Sequence, residues 1–540
     1  MSNGAPPVAS GPRPEGAGAI GGLARFVAEA RLGDWPDEVR LKAKACLLYG
    51  LAVGAAGART RLPRQVARML DRTETGGGDG SAHRMLDGMR TAPGAAAFAN
   101  AVLLHARIQE DAPPAGHVGV VVIPAALAAA EHTGADGEAL LAGIVAGYET
   151  ALRIGRGHAA AASRRGFRTT PLYGVIGAAA AAARLHGLPP ERTADALSLA
   201  ANHAGGLREF AVAGTDEYVL QAGSAARSGL TSAWCAVEGM RGAPTILEGP
   251  AGFLRAFGGE EAGGVDSCLV EGLGSSFEMM AVTGKRWPVC QFHRGVVRSV
   301  LALRAAAAAG TETARAVATG GMATATGTET AGAVAAGGAA AAAGTETARA
   351  VATGGTTTAA GTETAGAVAA GGAVDPAATA PAASRIRVTM NPFEADFFGV
   401  RRTEVFESFA HTFMSAPFCA ALAWVEGAVT LAGMHAFADP RVLAVARRVD
   451  VIASPERPRY QPRVEIVLED GRKLARADAE PDDVLDWARA RTMATALMAE
   501  SDAPEEAGIR LAEAVDALDR GGSVLSVVQA ACGAARHVCA

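Results

Sequence analysis

The stretch Thr170–Gly205 reads TPLYGVIGAAAAAARLHGLPPERTADALSLAANHAG. An unbroken alanine-rich run with apolar residues at three- and four-residue spacing predicts a helix. Gly187-Leu188-Pro189-Pro190 stops it, and a second periodic segment begins with a cap near Thr193. Two helices joined by so short a loop must pack side by side, and their small residues let the backbones approach closely. The same texture extends outward from about Gly18 to Gly258. LARFVAEARLGDWPDEVRLKAKACLLYGLAVGAAG is periodic apart from a break at Trp35-Pro36, and PAALAAAEHTGADGEALLAGIVAGYETALRIG continues the pattern. The predicted fold class is therefore mainly α, with a large all-helical domain.

After Pro381 the period changes to that of strands. RIRVTM (Arg385–Met390) alternates, and PRVEIVLEDGRKLARAD carries Glu469-Asp470-Gly471, a hairpin turn between two strands. A helix-rich stretch, Phe409–Val449, lies between them, and helix returns from Val484 to about Leu518. Between the two textures, GTETARAVATGG begins at Gly310 and recurs with changes at Gly327, Gly344 and Gly361, a period of 17. Each unit offers only Val and Ala to bury, and Gly-Gly interrupts each helical attempt, so the predicted state is a low-complexity insert over 305–383 that cannot recover its ordering entropy. The expected organisation is a disordered tail over 1–17, a helical domain over 18–283, a smaller α+β lid over 284–480 interrupted by the insert, and a helical return over 481–540.

With 540 residues, 49% of them hydrophobic, the chain can build a large core. A net charge of −5 argues against nucleic acid as a partner, and 5% aromatics leaves few stacking platforms for single strands. The apolar runs are too short to span a bilayer. Seven scattered cysteines without a CxxC pair fit a reducing cytoplasm and no zinc ribbon. No P-loop, no H-E-x-x-H and no G-x-S-x-G elbow is present.

Three stretches can carry chemistry. KRWPVCQFHR (Lys285–Arg294) sets Cys290 three residues from His293 amid cations that would lower a thiol pKa. The local sequence alone favours ordinary packing, a small buried hydrophobe beside a histidine at a helix start. EDAPPAGHVGVVVIP places Glu110 and Asp111 before a Pro-Pro loop that ends in His117, a set suited to acid–base work or equally to a solvated loop. RRGFRTTPLYG presents Arg168, Thr169 and Thr170 at a helix start, which reads as an anion site or an exposed basic loop.

Taken together, AAAFANAVLLHARIQED, LLAGIVAGYETALRIG, GFRTTPLYGVIGAAAAAARLHGL, ALSLAANHAGGL, LQAGSAARSGLTSAWCAVEGMRGAPTILEGPAGFLRAFGG and KRWPVCQFHRG resemble the MmgE/PrpD family. That family includes 2-methylcitrate dehydratase, cis-aconitate decarboxylase and iminodisuccinate epimerase. The resemblance implies a helical domain built from both chain ends, an α+β lid, a homodimer, and a site between the domains that needs neither metal nor other cofactor. It implies proton removal next to a carboxylate of a small-molecule substrate, with dehydration as the default outcome and decarboxylation or epimerisation as alternatives.

Residue by residue, His117 falls on the family's loop histidine and Asp111 on the second of its paired acids, while the first acid falls near Ile108 or Gln109 and is missing. Arg168 replaces a histidine, Tyr218 replaces a lysine, Lys285 keeps a lysine, and Cys290 stands where the family has a lid histidine. The resemblance thus implies His117, Tyr218, Cys290 and Asp111 as proton-handling residues, with Arg168, Thr169 and Lys285 binding the substrate carboxylate. The substitutions also leave open a non-catalytic helical dimer that binds a carboxylate or a partner protein.

Overall fold

The computed structural model describes residues 18–74, 80–112, 115–259, 269–309, 381–479 and 484–540. The expected tail (1–17) and the repeats of the insert (310–380) lie outside the described residues. The ends of the predicted insert are ordered elements. The helix Arg294–Ala308 takes in residues 305–308, and Ala383 opens the strand Ala383–Met390. Alanine is the best helix former, so composition alone could not separate the last helical turn from the repeats that follow.

The stretch Thr170–Gly205 forms the helices Thr169–Leu185 and Pro190–Ala201. The second helix starts three residues before Thr193, because proline is accommodated at the first helical position. Thr193 instead bonds back to the carbonyl of Leu188, 3.2 Å away. The helix Gly137–Gly155 packs on Thr169–Leu185 through facing glycines. A Cβ on Gly147 would come within 2.8 Å of the Gly177 carbonyl oxygen, and one on Gly177 within 2.6 Å of the Gly147 oxygen, so the two backbones touch.

Two separate hydrophobic cores follow from the sequence. The first joins the helices between Ala19 and Val282 to the C-terminal helices Trp487–Glu500, Glu505–Asp516 and Val524–Cys539. The last of these lies beyond the expected helical limit at Leu518. The second core spans Val289 to Leu474 and includes a four-stranded sheet. In that sheet Ala383–Met390 pairs in parallel with Val449–Ala453 and antiparallel with Arg463–Leu468, which pairs with Lys473–Ala477 across the predicted hairpin. Ile386, Val388 and Met390 are buried, the period-2 face that the sequence shows. Phe98, Val102, Ile108, Phe210 and Tyr218 belong to the second core although they precede it in the chain, and so mark where the helical body meets the α+β body. No single helix among the described residues is long and apolar enough to cross a membrane.

Candidate active site

A cavity of about 320 Å3 opens at this junction. Its helical wall includes the end of the helix Pro93–His105, the loop that carries His117, the end of the helix Gly137–Gly155 with the short helix Ala159–Arg164, the start of Thr169–Leu185, and Arg208 and Phe210. A short antiparallel pairing, Asp111 with Gly284 and Ala112 with Thr283, ties the His117 loop to the start of KRWPVCQFHR. That pairing brings residues about 170 positions apart into one cluster.

Glu110 is the centre of the cluster and is fully buried. Lys285 donates to its Oε1 at 2.6 Å and to the Ile108 carbonyl at 2.7 Å. His105 Nδ1 stands 3.1 Å from Oε2, out of line for a strong hydrogen bond, and His117 Nδ1 is 3.5 Å from Oε1. Burial alone would raise the Glu110 pKa. The Lys285 ammonium outweighs burial and holds the carboxyl well below its usual range.

The two histidines have fixed tautomers. Arg168 can only donate, and one of its terminal nitrogens faces His105 Nε2. His105 Nε2 is therefore the acceptor, and the ring proton sits on Nδ1, toward Glu110. His117 Nδ1 lies 2.7 Å from the Asp111 carbonyl oxygen, which can only accept, so the proton is on Nδ1 here too. That leaves Nε2 of His117 with its lone pair, on a ring that lines the cavity. Thr170 Oγ1 accepts from the His117 backbone N–H at 3.1 Å and steadies the loop. Burial pushes the His117 pKa down to about 3, with Lys285 adding to the effect, and burial pushes His105 down to about 4. Both rings are neutral at physiological pH.

Arg168 is buried at the N-cap of Thr169–Leu185 and also donates to Gln221 Oε1 at 3.2 Å. Burial pushes its pKa down to about 10, which still leaves it cationic. Thr169 lines the cavity beside it. Cys290 lines the opposite wall, and its backbone N–H donates to the Phe413 carbonyl at 3.0 Å. Burial pushes its thiol up to about 11, against the expectation that the nearby cations would lower it, because loss of water outweighs Lys285 and Arg208. Cys290 is therefore a protonated thiol, an acid. His293 does not share its face. His293 is fully buried, its Nε2 is 2.8 Å from the Met414 carbonyl, and it belongs to the packing.

Two expected site residues are placed elsewhere. The side chain of Asp111 does not line the cavity. Neighbours on extended backbone point to opposite sides, so Glu110 faces the cavity and Asp111 the helical core. There Tyr148 donates to Asp111 Oδ2 at 2.6 Å, and burial pushes its carboxyl up to about 7. Tyr218 is also behind the wall. Its ring packs edge-on against His105 and Phe413, its backbone carbonyl accepts from Arg168, and burial raises its phenol further. Sequence reasoning did not assign roles to His105 or Arg208, and it named Glu110 only together with Asp111 as a loop carboxylate suited to acid–base work. The signal was there in LLHARIQED: a histidine closes an otherwise apolar helix, five residues before a carboxylate. Among the described residues no group of three or more His, Cys, Asp or Glu side chains is placed to hold a metal ion.

This helical body, with a polar cleft at its edge, is that of a known class. Residues 21–263 match the MmgE/PrpD N-terminal domain, so that part of the chain is a domain of the MmgE/PrpD family. Among curated proteins it is similar to the cis-aconitate decarboxylase-like protein oryM of Aspergillus oryzae, 32% identical over 246 residues, which is 44% of this chain and 50% of that protein. It is 30% identical over 283 residues to the cis-aconitate decarboxylase of Aspergillus terreus, covering 49% and 56% of the two chains. The human cis-aconitate decarboxylase is 29% identical over 234 residues, covering 41% and 47%. The chain thus spans about half the length of the curated relatives it matches.

Proposed function

We propose that this chain is a lyase that acts on a small carboxylated molecule by moving a proton at a carbon next to a carboxyl group. The observation that carries the reading is His117. Its Nδ1 proton is committed to a backbone carbonyl and its Nε2 lone pair is left to act as a base. Its ring lines the same cavity as the cations Arg168 and Lys285. A base beside fixed positive charge is what proton abstraction α to a carboxylate requires, because the developing enolate needs electrostatic stabilisation. Cys290, a protonated thiol on the other wall, can return a proton. Lys285 and Arg168 hold the negative charge, and Thr169 offers a hydroxyl at a helix N-terminus.

Family resemblance alone puts dehydration first. The names of the relatives, cis-aconitate decarboxylases, move decarboxylation ahead of it. In that outcome the bond to the departing carboxylate breaks and CO2 leaves. The electron pair shifts toward the carbon, which takes one proton from the Cys290 thiol. No proton is abstracted in this outcome, and His117 Nε2 is the relay by which a solvent proton returns to the thiolate. In this reading the helical domain comprises 18–283 and 481–540 and the lid comprises 284–480. The working unit is a homodimer, and exposed apolar side chains such as Leu207, Leu220 and Val405 support it.

The test is incubation of the protein with cis-aconitate in D2O, following CO2 and deuterium in the recovered acids. CO2 release with one solvent deuteron per product is expected. Deuterium exchange or hydration without CO2 would return the reading to a dehydratase or isomerase. Neither exchange nor release with any of a panel of small di- and tricarboxylates would overturn it.

A further inference from the structure

The cavity has two unlike halves. The helical half holds His105, Glu110, His117, Arg168 and the Thr169 hydroxyl. The lid half is built on aromatic rings: Phe292, Phe393, Phe397, Phe413 and Tyr460. Phe292 is the hub of this wall, with ring centroids 4.8 Å from Phe397, 5.9 Å from Phe393 and 6.1 Å from Tyr460. Two cations of the same cavity lining lie over these rings. The Arg208 guanidinium lies 4.3 Å from the centre of the Phe397 ring and also donates to Ser163 Oγ at 2.6 Å. Arg459 lies 4.2 Å from the Phe393 ring centre.

From this division we infer that the natural substrate is amphipathic. Its carboxylated head lies against His117, Arg168 and Lys285, and an apolar alkyl or aryl body runs along the Phe292–Phe393–Phe397 wall. The inference rests on the carboxylate-lyase reading above. The physical argument is one of mismatch. A compact polycarboxylate filling this cavity would press a carboxylate onto the rings. Ring faces carry negative charge and offer no donor, so a carboxylate against the Phe292, Phe393 and Phe397 faces would lose water there. Its cationic partners at these rings are Arg208 and Arg459, which already stack on them. An apolar body loses nothing there and gains by burial, about fourfold in affinity per methylene.

The test is calorimetric binding of a non-reacting series to the full chain: methylsuccinate, butylsuccinate and hexylsuccinate, with the neutral diamide of hexylsuccinate as control. The expected result is a rise in affinity from methyl to hexyl of up to about 10³-fold, about fourfold for each of the five added methylenes, together with loss of binding by the diamide. Phe397→Ala should then weaken hexylsuccinate by about tenfold, and more than it weakens methylsuccinate. Equal or tighter binding of methylsuccinate overturns the amphipathic substrate and leaves the carboxylate reading standing. Diamide binding as tight as that of hexylsuccinate overturns the carboxylate reading itself. Failure of every member to bind overturns both.

Discussion

Lys285 Nζ sits 2.6 Å from Glu110 Oε1, and neither side chain reaches solvent. The pair joins the end of a helix–loop segment to the stretch that leads into the α+β body, 175 positions later. It fixes the one anion in a cluster whose other members are Arg168 and two neutral histidines. Removing one partner leaves an uncompensated buried charge. Glu110→Gln is therefore expected to lower stability by about 3–5 kcal/mol in denaturant unfolding. The double variant Glu110→Leu with Lys285→Met should recover most of that loss while staying inactive. If the single variant unfolds at the wild-type denaturant concentration, the pair is not the structural tie described here.

Acidification should destabilise the protein between pH 7 and pH 5. Burial pushes His117 down to about 3, and His105 and His293 down to about 4. The unfolded chain binds protons at these histidines below about pH 6.5, and the folded chain does not. Their contribution is therefore complete above pH 6.5 and is lost as pH falls toward the folded values. Asp111, pushed up to about 7, opposes this as one group against three. The net expectation is a loss on the order of 3 kcal/mol between pH 7 and pH 5, read from denaturant curves at each pH. A flat profile would mean that these histidines are charged in the folded protein.

Cys290 is expected to behave as an acid, not as a nucleophile. With its thiol pushed up to about 11 it should react with iodoacetamide at neutral pH more slowly than the exposed Cys539. Cys290→Ala should reduce turnover by about 10²–10⁴, and Cys290→Ser should keep a trace, since a hydroxyl is a weaker acid. Rapid alkylation at Cys290, or an alanine variant as fast as wild type, would remove it from the proton path.

The helical fold was legible because long alanine-rich periodic segments leave few alternatives, and the lid strands because alternation and the Asp470-Gly471 turn coincide. The site was legible only in part. His117, Arg168, Thr169, Lys285 and Cys290 line the cavity, as positions implied by the family pattern. Asp111 was chosen over its neighbour Glu110 because it falls on the second of the family's paired acids, and linear sequence does not show which of two adjacent carboxylates faces the cavity. The two-residue pairing with Thr283 and Gly284 decides that, and nothing local encodes it. Tyr218 matches a family position, yet its ring is turned into the packing of His105 and Phe413. His105 was hidden because a histidine at the end of a buried helix reads as core until its partners Arg168 and Glu110 are seen.

The central claim is that His117 Nε2 moves the proton. It is tested most directly by the rate of solvent deuterium incorporation in D2O, with wild type and His117→Gln compared on the acid that wild type turns over. The glutamine should fold to the same melting temperature and incorporate deuterium about 10²–10⁴ times more slowly. Incorporation by His117→Gln at the wild-type rate would contradict the account.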